Sequence, residues 1–302
     1  MNNMEQQTPG KKTLPQRLKG KMKEWRFWYL RTRLFCSPKF LRKHFGKAHS
    51  CKTLFSYPDK PKSYHVLYEI CKHLGWKITS NPNKCADVAI FFRDTTLREK
   101  DTLIEEYAKK HEVLNIESTD ISKQHIDTIF EEVFGYAMSI DPETYQGVCV
   151  RKSDVNAVHD GTLLKCPTPK ETGYVYQKFV NGDLGTGQVM DMRIHIFKDA
   201  IPFLLKRYKN KDDMFHMTVG AEPAETDELL SKDEQEKILQ YCKKLGIDYG
   251  ELDALRDNED GRLYIVDANN TPAGPIGPIF FDKEKYAVWI EQISKAFEKH
   301  IL

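Results

Sequence analysis

Near the end of the chain, a carboxylate stands where a buried strand would normally carry an apolar residue. Residues 249–255 and 263–268 have the pattern of two strands in a hairpin, joined through the run Asp257-Asn-Glu-Asp-Gly261. The second strand is apolar from Leu263 to Val266 and then reaches Asp267. Burying a carboxylate without a partner costs several kcal/mol. Any fold that buries this strand must therefore supply a partner for Asp267, and this requirement restricts the fold strongly.

The same hairpin carries further oxygen ligands. Alternate residues of a strand share a face, so Glu251 and Asp253 point the same way from the first strand, and Asp267 and Asn269 do so at the end of the second. Carboxylate and amide oxygens suit Mg²⁺, which takes few protein ligands and completes its octahedron with phosphate oxygens and water. The alternative is a surface hairpin whose polar residues cap turns. The apolar flank favours the magnesium site.

Segments with helical and strand periods alternate along the rest of the chain, which indicates a sheet covered by helices. We predict helices at 65–75 and 103–110, from the candidate caps Ser118, Thr119 and Asp120 to Gly135, from the capping box Ser231–Glu234 to Gly246, and in the final amphipathic segment. We predict further strands at 86–92, 113–116, 147–151, 174–180, 190–197 and 201–208.

Two lysines stand at positions where such elements begin or end. Lys123 falls in the first turn of the helix that follows Asp120, and Lys152 comes directly after the strand residues 148–150. A single lysine at either place is normally solvated. A magnesium site implies a bound triphosphate. Both lysines could bind that triphosphate, because ammonium groups bind phosphates as point charges.

One predicted strand has a polar face. In the segment 190–197, Asp191, Arg193 and His195 alternate with apolar residues and therefore share one side. An ordinary half-exposed strand has the same pattern, so this face alone does not identify a site.

Taken together, these segments resemble the ATP-grasp superfamily over about residues 113–280. The family pattern has a lysine on an early helix, a second lysine after a strand, a hinge strand at the adenine, an Asp-x-Arg strand and a closing acidic-x-Asn motif. The matching segments are Ile121-Ser-Lys123, Val150-Arg-Lys152, Tyr176-Gln-Lys-Phe-Val180, Asp191-Met-Arg193, Gly250-Glu-Leu-Asp253 and Ile265-Val-Asp-Ala-Asn269. Two features depart from the pattern: Asp267 replaces the usual Glu, and the expected glycine-rich loop, 153–161, has a single glycine.

The resemblance implies an α+β chain with the ATP-grasp fold, in which two α/β subdomains clasp ATP. A small α/β domain and a basic helical N-terminal arm precede it. We expect the arm, which lies outside the resemblance, at 1–50, the small domain at 51–117 and the ATP-grasp domain at 118–302, with a lid subdomain at about 136–180.

The resemblance also implies ATP and Mg²⁺ as cofactors and assigns roles to individual residues. The assigned residues are Lys123 and Lys152 for the α- and β-phosphates; Gln177, Lys178, Phe179 and Val180 for the adenine pocket, with Asp191 also on the nucleotide side; Asp253, Asp267 and Asn269 for the metal; and Arg193 for the γ-phosphate or an acyl phosphate. Lys206 and Arg207 are candidates for holding an acceptor carboxylate, and His195 or His159 for accepting a proton from an amine.

The implied activity is that of an ATP-dependent carboxylate–amine ligase that works through an acyl phosphate. A looser resemblance, to small ATP-grasp proteins of bacterial surface-polysaccharide (teichuronopeptide-type) biosynthesis, suggests that an amino acid or amine is joined to a uronic acid. It rests on Asp120-Ile-Ser-Lys123, Phe130-Glu-Glu-Val-Phe-Gly135, His159-Asp-Gly161 and Asp248-Tyr-Gly-Glu-Leu-Asp253. A kinase of a sugar or small molecule and a non-catalytic nucleotide-binding scaffold are the alternatives.

Charge divides the chain into two parts. Residues 11–47 contain thirteen Lys and Arg and one Glu, so this arm carries +12, whereas residues 48–302 carry −9 of a total of +2. Aromatic residues among its cations suit an anionic membrane surface. There are two alternatives for the arm. It could bind nucleic acid, which we rank lower among the partners, or it could dock as an amphipathic helix on the acidic body of the protein.

Composition excludes several classes of protein. At 40% hydrophobic and 30% charged residues, the chain is neither disordered nor fibrous. No apolar run approaches the roughly 18–20 residues that span a bilayer. The seven scattered cysteines indicate reduced thiols and not a disulfide framework or zinc site. We therefore expect a cytoplasmic protein, with peripheral attachment to the inner face of the membrane if the arm binds lipid.

Overall fold

Three β-sheets and seven helices make up the part of the chain that our computed structural model describes, which is residues 52–302 apart from 156, 157, 159 and 216. The strands are β1 Thr53–Pro58, β2 Lys77–Thr79, β3 Val88–Phe92, β4 Gly147–Ser153, β5 Thr162–Cys166, β6 Tyr174–Lys178, β7 Gln188–Phe197, β8 Leu204–Asn210, β9 Thr218–Ala224, β10 Tyr249–Arg256 and β11 Leu263–Asn269. The helices are α1 Val66–Leu74, α2 Thr102–Ala108, α3 Lys123–Phe134, α4 Thr226–Leu229, α5 Lys232–Lys244, α6 Gly277–Phe280 and α7 Lys283–Ile301. The predicted basic arm and His159 lie outside the described residues.

The first sheet is small and parallel, with strand order β2-β1-β3. Strand β3 is buried at every residue, as its continuous apolar sequence requires of a parallel strand covered on both faces. Helix α1 ends at Gly75, whose φ of 72° allows the left-handed conformation that closes the last turn.

The largest sheet has five antiparallel strands in the order β11-β10-β7-β8-β9. Helices α3 and α5 pack against each other, and their apolar residues share a core with Met192, Ile194 and Ile196 of β7. Helix α5 begins with the predicted capping box between Ser231 and Glu234. One face of this sheet is therefore covered by helices, and the alternate residues of β7 are left to the other face.

A third sheet, with order β5-β4-β6, is formed by residues 147–178 alone. Its strands pair only with one another as strands, so it is a separate small layer inserted in sequence between α3 and β7. This third sheet lies within the range predicted as a lid.

The structure differs from the sequence-based expectation around residue 115. Leu114 pairs with Ile90 only as an isolated bridge, because Asn115 adopts a φ of 59° that a strand cannot continue. Its side chain instead donates to the Tyr249 carbonyl at 2.7 Å and accepts from the Asp248 N–H at 2.8 Å. The predicted strand at 113–116 is therefore wrong.

The next helix also begins later than predicted. Ser122 is its N-terminal cap residue, and the proposed caps at 118 and 120 are already engaged. The Ser118 hydroxyl accepts from Asn270 at 2.8 Å, and the Asp120 carboxylate accepts from the Ser122 N–H at 2.7 Å. Strands β1, β2, β5 and β9 were not predicted. No helix among the described residues is long and apolar enough to cross a membrane.

Candidate active site

A cavity of about 190 Å³ opens between the third sheet and the polar face of the five-stranded sheet. Most of the residues singled out in the sequence line it. They are Lys123, Lys152, Gln177, Lys178, Phe179, Val180, Asp191, Asp253 and Asp267, joined by apolar residues such as Val150, Val189, Leu255 and Val266. An apolar cavity with a few convergent charged groups is the usual form of a small-molecule site.

Lys123 supplies the partner that Asp267 requires. The lysine is the first residue of α3, and its ammonium group donates to the Asp267 carboxylate at the end of β11. Lys123 is 6% exposed, so this contact is shielded from water. The helix start and the hairpin end are therefore joined at the cavity wall by one ion pair.

Lys152 approaches the same place from the third sheet. Its ammonium group donates to the Val266 carbonyl at 3.1 Å, next to Asp267. Burial lowers the pKa of Lys152 to about 8, and the nearby charge of Lys123 contributes, while the charges of Asp267, Asp127 and Asp253 oppose the fall. An anion entering the cavity would favour the charged form of Lys152.

Asp253 lies opposite Asp267 across the hairpin and is held by two arginines. Arg193 Nε is 3.1 Å from Asp253 Oδ1, and Arg207 Nη2 is 2.8 Å from Oδ2. Burial acts to raise the pKa of Asp253, but the charges of Arg193 and Arg207 outweigh it and hold the pKa well below its usual value. Asp253 is therefore ionised across the physiological range.

Two other polar residues of β7, Asp191 and His195, also form ion-pair contacts, although the buried Nε2 of His195 has no hydrogen-bond partner among the described residues. Asp191 binds Arg207 and lies 2.8 Å from Lys209 Nζ. His195 Nδ1 is 3.1 Å from Glu251 Oε1, and both side chains are at most 5% exposed. The shared face of Asp191, Arg193 and His195 is confirmed, and it is mostly buried under ion pairs. It is not the half-exposed surface of an ordinary strand.

The hinge segment joins the two sheets on another side of the cavity. Lys178 Nζ reaches Asp257 at 2.6 Å and Asp260 at 2.8 Å, in the turn of the β10–β11 hairpin. These contacts outweigh the effect of burial and raise the pKa of Lys178. The side chain of Lys178 therefore fastens the hinge to the large sheet, while its backbone remains part of the cavity wall.

Comparison with solved structures places this arrangement among known folds. The ATP-grasp ligase PsnB, complexed with a minimal precursor, Mg and ADP, aligns with a TM-score of 0.51 and 12% identity over 83% of this chain and 97% of that one. PsnB complexed with precursor peptide PsnA2 and AMPPNP gives 0.50 and 11% over 85% and 99%. The chain has the ATP-grasp fold.

The fold class expected from the sequence is thus confirmed. The D-alanine–D-alanine ligase of Bacillus anthracis, complexed with ATP, is similar at a TM-score of 0.49 and 12% identity over 83% of this chain and 96% of that one. No protein-family model matches the chain, and no curated protein matches it by sequence.

The carboxylates at the cavity wall can supply some of the ligands that Mg²⁺ requires. Among the described residues, no three His, Cys, Asp or Glu side chains form a group able to hold a metal by themselves. Asp253 and Asp267 nonetheless meet at the cavity wall, and Mg²⁺ needs only one or two carboxylates when phosphates complete its shell. Asn269 does not line the cavity, and its side-chain oxygen accepts from the Thr271 N–H at 2.9 Å.

Three other proposed residues lie outside the cavity lining. Arg193 and Arg207 stand behind Asp253, as described above. Lys206 is opposite Met192 in the β7–β8 ladder and so faces the helix-covered core, where its ammonium group is 3.8 Å from Glu222 and 3.9 Å from Glu228. The structure therefore separates Lys206 from Arg207, because neighbours along a strand point to opposite faces.

Sequence reasoning missed two residues in and beside this cavity. Lys209 lines the cavity two residues after Arg207, which is the strand period that could have revealed it. Asp127 stands on α3 behind Gln177, and its position depends on how the helix packs on the third sheet, which no local pattern shows.

Proposed function

We propose that the chain is an ATP-dependent carboxylate–amine ligase. The observation that carries the proposal is the meeting of Lys123, Lys152, Asp253 and Asp267 around one cavity between two sheets. The two lysines, which would bind a polyphosphate, therefore line the same cavity as the two carboxylates, which would bind its metal ion. The ATP-grasp fold, and the ADP and Mg in the PsnB complex, support the same conclusion.

In this proposal the nucleotide lies along the cavity with its base at the hinge. Lys123 and Lys152 bind phosphate oxygens, and residues 177–180 surround the base. Among the described residues, no acceptor bonds to the N–H of Phe179 or Val180, so these backbone groups are available to a ligand. Asp191 contributes by fixing Lys209 at the far wall of the cavity and Arg207 behind that wall.

The same proposal places Mg²⁺ at Asp253 and Asp267. Asn269 can join as a metal ligand in two ways. Its side-chain oxygen either gives up the hydrogen bond from the Thr271 N–H or keeps it and binds the metal with its second lone pair. When bound, Mg²⁺ neutralises phosphate charge. Lys123 then exchanges its contact with Asp267 for a contact with phosphate.

The chemistry proceeds in two displacements. A carboxylate oxygen of the substrate attacks the γ-phosphorus, and the bond to the bridging oxygen breaks to give an acyl phosphate and ADP. The amine nitrogen then attacks the acyl carbon, loses a proton and expels phosphate, which leaves an amide. Charge neutralisation by Lys123, Lys152 and Arg193, together with positioning, supplies most of the catalysis.

The acceptor stays open between two classes. A uronic acid follows from the resemblance to surface-polysaccharide proteins. A peptide carboxylate is the other class, since PsnB was captured with precursor peptide PsnA2. The kinase alternative shares the first displacement and ends at a phosphorylated hydroxyl, whereas a scaffold would bind nucleotide without turnover.

We expect ADP to form only when the chain, Mg·ATP and a suitable carboxylate are all present. The measurement is ADP release across a panel of uronic acids, acidic peptides and simple sugars. Hydroxylamine is added in parallel, because it converts an acyl phosphate into a hydroxamate that a phosphorylated sugar cannot give. ADP release with a sugar but no hydroxamate would establish the kinase, and nucleotide binding without any ADP would establish the scaffold.

We further propose that the arm at residues 11–47 binds an anionic membrane surface, a proposal that rests on its sequence of cations and aromatic residues. The full chain should co-sediment with phosphatidylserine vesicles at low salt and be released at high salt, because screening weakens the attraction. Residues 48–302 alone, with their charge of −9, serve as the control. Retention on RNA but not on vesicles would contradict the proposal.

A further inference from the structure

A buried carboxylate stands directly behind the hinge strand. Asp127 lies on the inner face of α3 and is 3% exposed, while Gln177 on β6 is 1% exposed and forms part of the cavity wall. Gln177 Nε2 donates to both Asp127 oxygens, at 2.7 and 2.9 Å. The Ser139 hydroxyl donates to Asp127 Oδ2 at 2.6 Å, and Ser139 itself bridges to Gln177 along the backbone. A buried acid therefore contacts one end of one cavity-lining amide.

These contacts allow only one orientation of the amide. An ionised carboxylate accepts hydrogen bonds and has no hydrogen to donate, so the Gln177 nitrogen faces Asp127 whenever Asp127 is ionised; burial raises the pKa of Asp127, and the contacts from Ser139 and Gln177 oppose that rise. The reverse orientation would bring the Gln177 oxygen against two carboxylate oxygens. Gln177 Oε1 is thus turned away from Asp127, and among the described residues it accepts no hydrogen bond.

We propose that Asp127 is a positioning residue that sets nucleobase specificity by holding Gln177 with its oxygen toward the base. An acceptor at this place pairs with a base that carries an amino group at its edge, as adenine does. The same acceptor repels the carbonyl oxygen that hypoxanthine and guanine carry at that edge. This inference rests on the proposed function, because it requires a nucleotide in the cavity.

The test compares ATP with inosine triphosphate, which replaces the 6-amino group by a carbonyl. Binding is measured by calorimetry on the full chain with Mg²⁺ present, so that no acceptor substrate is needed. We expect the wild-type chain to prefer ATP by about tenfold or more, since a buried acceptor left opposite a carbonyl loses its partner.

The substitution Asp127→Asn changes the partner of Gln177 while keeping the shape of the side chain. The amide that it introduces offers Gln177 both a donor and an acceptor, so position 127 no longer holds the Gln177 nitrogen on its own side and Gln177 can present either end to the base. The ATP preference of Asp127→Asn should therefore fall by about tenfold, chiefly through weaker ATP binding. Ser139→Ala keeps both contacts between Asp127 and Gln177 and should keep the preference.

A second variant keeps the inference testable if Asp127→Asn does not fold. Gln177→Met removes the amide and should bring ATP and inosine triphosphate to similar affinities. Equal binding of both nucleotides by the wild-type chain, or an unchanged preference in Asp127→Asn or Gln177→Met, would overturn the inference and leave the ligase proposal standing. Failure of the wild-type chain to bind either nucleotide would refute both.

Discussion

Asp267→Asn is expected to abolish ADP formation while leaving the chain folded. The substitution keeps the shape of the side chain but removes the negative charge that both Mg²⁺ and Lys123 require. A bound metal contributes several kcal/mol of charge stabilisation in phosphoryl transfer, so turnover should fall roughly a hundredfold to a thousandfold. The measurement is ADP release at saturating ATP over a range of Mg²⁺ concentrations.

The matched control is Glu259→Gln, which makes the same acid-to-amide change in the exposed turn of the same hairpin. It should retain full turnover. The Asp267 side chain is 35% exposed, but the Lys123 side chain is only 7% exposed and loses this charged partner, so Asp267→Asn should unfold at a lower temperature than the wild-type chain while staying folded under assay conditions. Wild-type turnover in Asp267→Asn would remove this residue from the metal site.

Arg193→Met should lower turnover about a hundredfold or more with little change in the affinity for ADP. Arginine is the residue that most often stabilises charge developing on a transferred phosphoryl group. Removal of Arg193 does not strand its partners, because Asp253 retains Arg207 at 2.8 Å and Glu251 retains His195 at 3.1 Å. The measurement is kcat beside the Kd for ADP, with Arg193→Lys as the variant that keeps the charge.

A magnesium titration separates the two possible actions of Arg193. If the arginine acts only by orienting Asp253, excess Mg²⁺ should restore the turnover of Arg193→Met. If it meets the phosphoryl group, the loss should persist at saturating Mg²⁺. If the turnover of Arg193→Met stayed close to that of the wild-type chain at every Mg²⁺ concentration, Arg193 would have a structural role only.

Period-two patterns predicted much of the site. They placed Glu251 and Asp253 on one face of a hairpin and Asp191 with Arg193 on one face of a central strand, because alternation depends on local sequence only. Applied to β8, the same rule would have separated Lys206 from Arg207, which were grouped together because they are adjacent in sequence after an apolar run.

Other contacts depend on pairings between segments that are distant in sequence. The β7–β8 register sets Asp191 opposite Arg207, and the β7–β10 register sets Arg193 opposite Asp253. The packing of α3 on the third sheet brings Asp127 to Gln177. Registers of this kind are selected by the whole core, so residue patterns within one segment do not contain them.

The isolation of the third sheet has a mechanical consequence. Its three strands pair with one another and, through β6, with backbone groups of residues 138–140, whereas the five-stranded sheet contributes no strand to it. Side-chain contacts therefore hold the third sheet against the five-stranded sheet, among them the ion pairs of Lys178 with Asp257 and Asp260. A substitution at Lys178 can alter the gap between the two sheets while every strand of both sheets keeps its partners.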